Sequence, residues 1–360
     1  MTPFPRAELP TPALVIDRAA LERNIARMAE FAAAKDLALR PHAKTHKSAD
    51  IARLQMAAGA IGVCCAKLGE AEALAEHGIG DILLTSPVVT PQAIRRLLAL
   101  SERIAVAVVV DHPANVSALA QAAGGPLAVL IDVDPGIHRT GVASADAAVA
   151  LARHVAEAPS LSLGGVQFYC GSLQHIAGLA ERSAAAEAST AYLREVLAAL
   201  AAAGHPIDRV TGSGTGTFAI DAALGVFTEL QAGSYVCMDR EYLDCEFAAD
   251  APRFEPALFV DATVISANHA GHVTVDAGFK ALAADAGPPR VIGNERATYR
   301  FMGDEHGAVA GASPALGLGD RVALLQGHCD PTINLYDAYA VIEGDRVTQL
   351  WPVTARGRST

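Results

Sequence analysis

Residues 37–48 read Leu-Ala-Leu-Arg-Pro-His-Ala-Lys-Thr-His-Lys-Ser, an apolar run that ends in a cluster of histidines and lysines. The run Leu37–Pro41 has the pattern of a buried β-strand, and it is the first of about eight between Leu37 and Val236. The others are Gly62–Ala66, Asp81–Ser86, Ile104–Val110, Leu127–Val133, Gly164–Tyr169, Val210–Gly212 and Leu230–Val236. Helical patterns such as Ala145–Ala156 separate them, with roughly 25 residues in each unit. The repeat predicts an α/β fold, a (β/α)8 TIM barrel, rather than an open sheet.

The pattern changes near residue 240, where helical spacing fades. Short, Val-rich runs separated by Gly, Asn, Asp or Pro follow, at Ala257–Ser266, His272–Asp276, Arg321–Gln326, Ala338–Glu343 and Arg346–Trp351. This arrangement is typical of an antiparallel β-domain. The earlier run Ala13–Asp17 precedes the barrel and is a candidate to join that domain. We therefore predict a barrel over residues 18–240 and a β-domain over residues 241–360 together with residues 1–17.

Composition points to a small-molecule partner. The 360 residues are 51% hydrophobic, enough for one or two cored domains, and 28 Lys+Arg against 39 Asp+Glu give a formal charge of −11. This charge opposes binding to nucleic acid or to an anionic membrane. The segment Met1–Pro10 has no apolar leader, and no later apolar run approaches the ~20 residues of a spanning helix. We expect a cytoplasmic protein.

The basic cluster after the first strand is the first candidate site. It contains His42, Lys44, His46 and Lys47, and catalytic groups gather at the carboxyl ends of barrel strands. A lysine that forms a Schiff base must lose its proton, and nearby cations such as Lys47 and protonated histidines would lower its pKa. A solvated basic loop explains the same residues, so the cluster needs supporting context.

A Gly- and hydroxyl-rich loop after the seventh strand supplies such context. Residues 211–217 read Thr-Gly-Ser-Gly-Thr-Gly-Thr, which lets backbone N–H groups and hydroxyls converge on an anion. Barrels often bind phosphate in the loops after strands seven and eight. The run Gly233-Ser234-Tyr235 in the eighth strand is a candidate to add a hydroxyl or two to the same site.

Two further groups carry acid–base and metal-binding side chains. Tyr169 and His175 follow the sixth strand and suit a ring contact and a general base of near-neutral pKa, although ordinary packing accounts for either. His328 and Asp330 would lie on one face of an extended segment, with Cys329 directed away. An imidazole and a carboxylate suit a fairly hard divalent ion, Mn²⁺ or Mg²⁺, with positions left open for substrate.

Taken together, these motifs resemble one enzyme family along essentially the whole chain. The matching runs are 40–47 (Arg-Pro-His-Ala-Lys-Thr-His-Lys), 211–217, 229–235 (Glu-Leu-Gln-Ala-Gly-Ser-Tyr), 276–278 (Asp-Ala-Gly), 304–307 (Asp-Glu-His-Gly), 327–332 (Gly-His-Cys-Asp-Pro-Thr) and 351–357. The sequence resembles the D-threonine aldolase, D-3-hydroxyaspartate aldolase and D-serine dehydratase family. The resemblance implies an alanine racemase-like, fold-type III pyridoxal-phosphate enzyme, and a homodimer whose subunits share active sites.

The resemblance also assigns roles to residues of this chain. Lys44 would carry pyridoxal 5'-phosphate as a Schiff base, and His175 matches the histidine near the substrate hydroxyl. The metal would be bound by His328 and Asp330. The residues matched to cofactor contacts are Arg139, Tyr169, Thr211, Ser213, Gly214, Thr215, Gly233, Ser234 and Tyr235. One departure is His138, which stands where the family pattern has a glycine directly before the arginine.

The His-x-Asp pattern favours aldolase over dehydratase activity. The run His328-Cys329-Asp330 resembles the His-x-Asp pattern of the aldolases of this family. D-serine dehydratases typically have His-x-Cys and bind Zn²⁺, so Zn²⁺ is a further candidate for the metal. The implied reaction cleaves a D-3-hydroxy-2-amino acid into glycine and an aldehyde. Three alternatives stay open: a dehydratase acting on D-serine or 3-hydroxyaspartate, a racemase, and a non-catalytic pyridoxal-phosphate carrier, against which the long β-domain argues.

Overall fold

The barrel is closed by eight parallel strands, as the sequence pattern predicts, in a computed structural model that describes residues 2–360. After β1 (Phe4–Pro5) and β2 (Ala13–Asp17), the barrel strands are β3 (Ala38–Leu39), β4 (Val63–Cys65), β5 (Asp81–Leu84), β6 (Ala105–Val110), β7 (Leu127–Asp132), β8 (Leu161–Phe168), β9 (Val210–Gly212) and β10 (Glu229–Leu230). Their order is β3-β10-β9-β8-β7-β6-β5-β4. A parallel bridge between His42 and Cys64 joins the two ends of this order and completes the ring.

Eight helices alternate with the barrel strands along the chain and cover the outside of the barrel. They are α1 (Arg18–Ala34), α2 (Ala49–Ala57), α3 (Leu68–Glu76), α4 (Pro91–Ser101), α5 (Pro113–Ala122), α6 (Ala145–Ala156), α7 (Leu179–Ala202) and α8 (Phe218–Leu224). In α6, the Ser144 hydroxyl caps the first turn by accepting from Ala147 N, and Ala148, Leu151, Ala152 and Val155 are buried at helical spacing. Within residues 2–360 no helix is both long and apolar enough to span a membrane.

The second unit is a mostly antiparallel sheet. It follows the short helix α9 (Arg240–Leu243) and comprises β11 (Leu258–His269), β12 (His272–Val275), β13 (Arg290–Val291), β14 (Thr298–Phe301), β15 (Gly307–Ala310), β16 (Arg321–Leu325), the short helix α10 (Cys329–Ile333), β17 (Ala338–Glu343) and β18 (Arg346–Pro352). β2 lies in this sheet, antiparallel to β11 and parallel to β17. The boundaries at residues 17/18 and 240/241 stay a prediction.

The eighth barrel strand is much shorter than the predicted run Leu230–Val236. β10 ends at Leu230, and Ser234–Val236 form a 3-10 turn in which Cys237 N donates to Ser234 O at 3.1 Å. Gly233, directly before this turn, lies very close to residues 42–45. A Cβ on Gly233 would lie 2.7 Å from Thr45 Oγ1 and 2.9 Å from the His42 carbonyl. This contact brings the residues after β10 against the segment that carries Lys44.

Candidate active site

Lys44 lies in the turn after β3, at the carboxyl ends of the barrel strands. Its Nζ is 2.5 Å from Asp330 Oδ2, and this carboxylate raises the pKa of Lys44 against the opposing effect of burial. The pair joins the barrel to the β-domain across 286 positions of sequence. The prediction that neighbouring cations lower the pKa of Lys44 is therefore wrong for this arrangement of side chains.

The neighbouring basic residues do not lower the pKa of Lys44, because Lys47 is paired with a carboxylate and the two histidines are uncharged. Lys47 has a positive φ of 50°, and its Nζ pairs with Glu70 Oε1 at 3.1 Å. Burial lowers the pKa of His42 well below its usual range and that of His46 to about 4. The two imidazoles are thus uncharged near neutral pH. The basic cluster of the sequence contributes one ammonium group, that of Lys44, to this side of the site.

His328 and Asp330 come together through a helix start, and the predicted extended segment is wrong. His328 precedes α10, Asp330 lies in its first turn, and Pro331 fits there because the first turn of a helix does not need its N–H. His328 Nε2 and Asp330 Oδ1 are 3.9 Å apart. Cys329 N donates to Asp239 Oδ2 at 2.9 Å, which holds the start of the helix against the end of the barrel.

His175 faces the same site from the loop after β8. Its Nε2 lies 3.7 Å from Glu241 Oε2, and its ring packs on Tyr242 with centroids 4.5 Å apart. Burial lowers the pKa of His175, the Glu241 carboxylate opposes that shift, and the His328 charge adds to it. An imidazole in this setting is able to accept a proton near neutral pH.

The predicted phosphate loop, residues 211–217, is buried and tightly packed. Ser213 has a left-handed backbone with φ 71°, and its Oγ is buried without a hydrogen-bond partner among residues 2–360. A Cβ on Gly214 would lie 2.4 Å from Gln174 Oε1, so a larger residue there would displace this buried side chain. Thr215 Oγ1 accepts from Tyr235 N at 3.0 Å, which ties this loop to the turn at residues 233–235.

Two predicted cofactor contacts have their hydroxyl groups engaged elsewhere. Thr211 Oγ1 donates to Glu229 Oε1 at 2.7 Å inside the barrel. Tyr235 is fully buried, and its hydroxyl accepts from Gln55 Nε2 at 3.0 Å. Near the phosphate loop, Tyr235 therefore presents its backbone and not its hydroxyl.

Arg139 and Tyr169 lie together, and the unusual residue before Arg139 has a structural explanation. The Arg139 guanidinium is 5.6 Å from the centroid of the Tyr169 ring. His138 adopts a positive φ of 53°, a conformation that favours glycine. Asp134 stabilises it by accepting from His138 N at 3.0 Å and by bonding Nδ1 at 2.9 Å. His138 thus adopts a backbone conformation that favours glycine, and the Asp134 carboxylate stabilises it there.

Comparison with known proteins places this geometry in a family. The family model described as "Alanine racemase, N-terminal domain" matches residues 16–241, and "Putative serine dehydratase domain" matches residues 257–342. The chain is 39% identical to 3-hydroxy-D-aspartate aldolase of Paracoccus denitrificans (strain Pd 1222), over 98% of this chain and 93% of that protein. The solved D-threonine aldolase from Filomicrobium marinum has a TM-score of 0.95 and 40% identity, covering 99% and 97% of the two chains. The chain belongs to the D-threonine aldolase and D-serine dehydratase family.

The family also includes a solved dehydratase. A metal-free form of D-threo-3-hydroxyaspartate dehydratase has a TM-score of 0.86 and 32% identity, covering 97% of this chain and 98% of that one. Fold-type III enzymes bind pyridoxal phosphate, and the buried, unpartnered Ser213 Oγ beside Gly214 fits a phosphate ester. Within residues 2–360, no group of three or more His, Cys, Asp or Glu side chains lies close enough together to hold a metal ion. His328 and Asp330 supply two donors, which fits an ion that keeps open positions.

The structure adds site residues that the sequence motifs do not reveal. Glu241 lies beside His175, and Asp285 lies beside His328 at 2.7 Å. Arg182 is fully buried in α7 and donates from Nε to Gly216 O at 2.8 Å and from Nη1 to Ile176 O, so it links the phosphate loop to the His175 loop. The contacts of Glu241 with His175, of Asp285 with His328 and of Arg182 with Gly216 each span more than thirty positions, so no local spacing in the chain indicates them.

Proposed function

We propose that this member of the family is a pyridoxal-phosphate- and divalent-metal-dependent aldolase, a lyase that cleaves D-3-hydroxy-2-amino acids to glycine and an aldehyde. The observation that carries the proposal is the convergence of Lys44, His175, His328 and Asp330 at one mouth of the barrel. The names of the full-length relatives support it. D-threonine and D-3-hydroxyaspartate are the two substrates that these names suggest.

Lys44 is the residue that would hold the cofactor. When bound, pyridoxal phosphate supplies an electron sink for the bond that breaks at the substrate Cα. For this role Lys44 Nζ must lose its proton, and Asp330 at 2.5 Å is the group that stabilises the charged form. Ser213 Oγ and the glycine backbone at 214 are the groups of the predicted phosphate loop that best fit the phosphate.

His175 is the candidate base for the substrate hydroxyl. The imidazole is uncharged near neutral pH because burial lowers its pKa, so the ring is able to take the β-hydroxyl proton. Glu241 Oε2, 3.7 Å away, stabilises the imidazolium that results. Tyr242 packs against the ring and limits its rotation.

His328 and Asp330 would bind the metal, for which we favour Mn²⁺ or Mg²⁺, with Zn²⁺ as the other option. A divalent ion at a substrate hydroxyl lowers the pKa of that hydroxyl. The mixed nitrogen and oxygen donors and their small number support an ion with open coordination positions. We further propose a homodimer with shared active sites, as the family resemblance implies.

Dehydration is the second candidate because the β-domain matches the "Putative serine dehydratase domain" and one solved relative is a dehydratase. The test is product analysis with D-threonine, D-3-hydroxyaspartate and D-serine, using enzyme loaded with pyridoxal phosphate and Mn²⁺. The aldolase proposal expects glycine and aldehyde in equal amounts. Ammonia and a 2-oxo acid without glycine would overturn it in favour of the dehydratase. Lys44→Ala is the inactive control.

A further inference from the structure

His328 has a second carboxylate neighbour besides Asp330. Its Nδ1 lies 2.7 Å from Asp285 Oδ2, while its Nε2 faces Asp330 Oδ1 at 3.9 Å. An ionised carboxylate only accepts hydrogen bonds, so this contact keeps a proton on Nδ1 whether the ring is charged or neutral, and Nε2 is the nitrogen left to bind an ion once the ring is neutral. His328 thus presents Nε2 to the side where Asp330 lies.

The backbone keeps the segment around Asp285 against the segment that carries His328. Ala283 N donates to Thr332 Oγ1 at 3.2 Å, and Thr332 Oγ1 donates to His328 O at 2.9 Å. One hydroxyl therefore bridges the two segments. The Asp285 side chain is 53% exposed, yet these bonds fix the position of its backbone.

A glycine allows the two segments to approach. The turn that carries Asp285 closes where Gly287 N donates to Ala284 O at 3.1 Å. A Cβ on Gly327 would lie 3.0 Å from Gly287 O and 3.1 Å from Ala286 O, so a larger residue would push this turn outward. The glycine directly before His328 is what lets Asp285 reach the imidazole.

We propose that Asp285 is a positioning residue for the divalent metal, because it fixes the tautomer and ring orientation in which His328 Nε2 is free to bind the ion. The inference rests on the metal site of the proposed function. Carboxylates that accept the second N–H of a metal-bound histidine typically change metal affinity by about 10- to 100-fold. Asp285 itself needs no contact with the ion or the substrate.

The test is Mn²⁺ affinity, measured by the electron paramagnetic resonance signal of free Mn²⁺ during titration of cofactor-loaded, chelator-stripped protein. Asp285→Ala is expected to weaken binding about 10- to 100-fold. Asp285→Asn is expected to lose less, because its amide oxygen still accepts from Nδ1. Asp320→Asn is the matched control, since Asp320 is also an exposed carboxylate of the β-domain and accepts from Gly317 N at 2.7 Å instead of from a histidine.

Each outcome has a separate meaning. Unchanged affinity in Asp285→Ala, or a loss no larger than that of Asp320→Asn, overturns the role of Asp285 while leaving the metal site intact. Equal Mn²⁺ binding by wild type and His328→Ala instead overturns the metal site of the proposed function, and the role of Asp285 with it. Thermal melting checks folding, and Asp285→Asn carries the test if Asp285→Ala does not fold.

Discussion

Acid should destabilise this protein through His46, which lies two residues after Lys44. The His46 side chain is fully buried, its Nδ1 accepts from Ser48 N at 3.1 Å, and its carbonyl accepts from the Tyr339 hydroxyl. Burial lowers the pKa of His46 from 6.5 to about 4. The imidazole is therefore uncharged in the folded protein at pH values where it is already protonated in the unfolded chain.

The sign and size of the effect follow from that difference. Because the folded pKa lies below the unfolded one, the unfolded state binds the proton more tightly, and stability falls as the pH falls from about 6.5 towards 4. At ~1.36 kcal/mol per pKa unit, His46 alone should lower the free energy of unfolding by about 2 kcal/mol between pH 7.5 and pH 5.

Urea denaturation of wild type and His46→Asn at these two pH values measures this contribution. Asparagine keeps an acceptor for Ser48 N but does not titrate, so its stability should depend on pH by about 2 kcal/mol less than that of wild type. His306→Asn, at an exposed histidine, is the control for replacing a histidine by asparagine. Equal losses of stability by His46→Asn and wild type on acidification would refute the role of His46.

Three further perturbations probe the barrel interior, the cofactor site and the metal. Glu229→Gln should cost about 3–5 kcal/mol in urea denaturation, because Arg40 and Arg209, at 3.2 and 2.8 Å, lose their shared buried carboxylate. Gly233→Ala should weaken pyridoxal-phosphate binding roughly tenfold in a fluorescence titration, because the added Cβ would lie 2.7 Å from Thr45 Oγ1. Such overpacking costs about 1–3 kcal/mol. Gly80→Ala is the control and should bind the cofactor normally, because the space around its Cβ is open. Treatment with EDTA should abolish turnover and added Mn²⁺ should restore it, whereas full activity after chelation would contradict the metal role.

The barrel was predictable because its signal is local and repeated. A strand or helix can be recognised from the hydrophobic pattern of about ten consecutive residues. The helix Ala145–Ala156, for example, is found at its predicted bounds. The predicted eighth strand is too long because the chain turns at Gly233, where it packs closely against His42 and Thr45. These two residues lie almost two hundred positions earlier in the sequence. No periodicity in the run Leu230–Val236 records that contact.

The structure brings together several side chains that the motifs name, but the sequence did not predict how those side chains pair. The motifs indicated Lys44, His328 and Asp330, yet the pairing of Lys44 with Asp330 spans 286 positions and reverses the expected pKa shift. The hydroxyls of Thr211 and Tyr235 were expected at a phosphate, but Glu229 and Gln55 bind them. Such partners are set by tertiary packing, which a single sequence does not display.

The assignment of Lys44 as the residue that holds the cofactor is the central claim, because the roles of its neighbours depend on it. Borohydride reduction of the pyridoxal-phosphate-loaded protein, followed by peptide mass spectrometry, tests it directly. The chain has five lysines, at 35, 44, 47, 67 and 280. We predict that the pyridoxyl label is found on Lys44. A label on Lys47 or another lysine, or no label at all, would contradict the account.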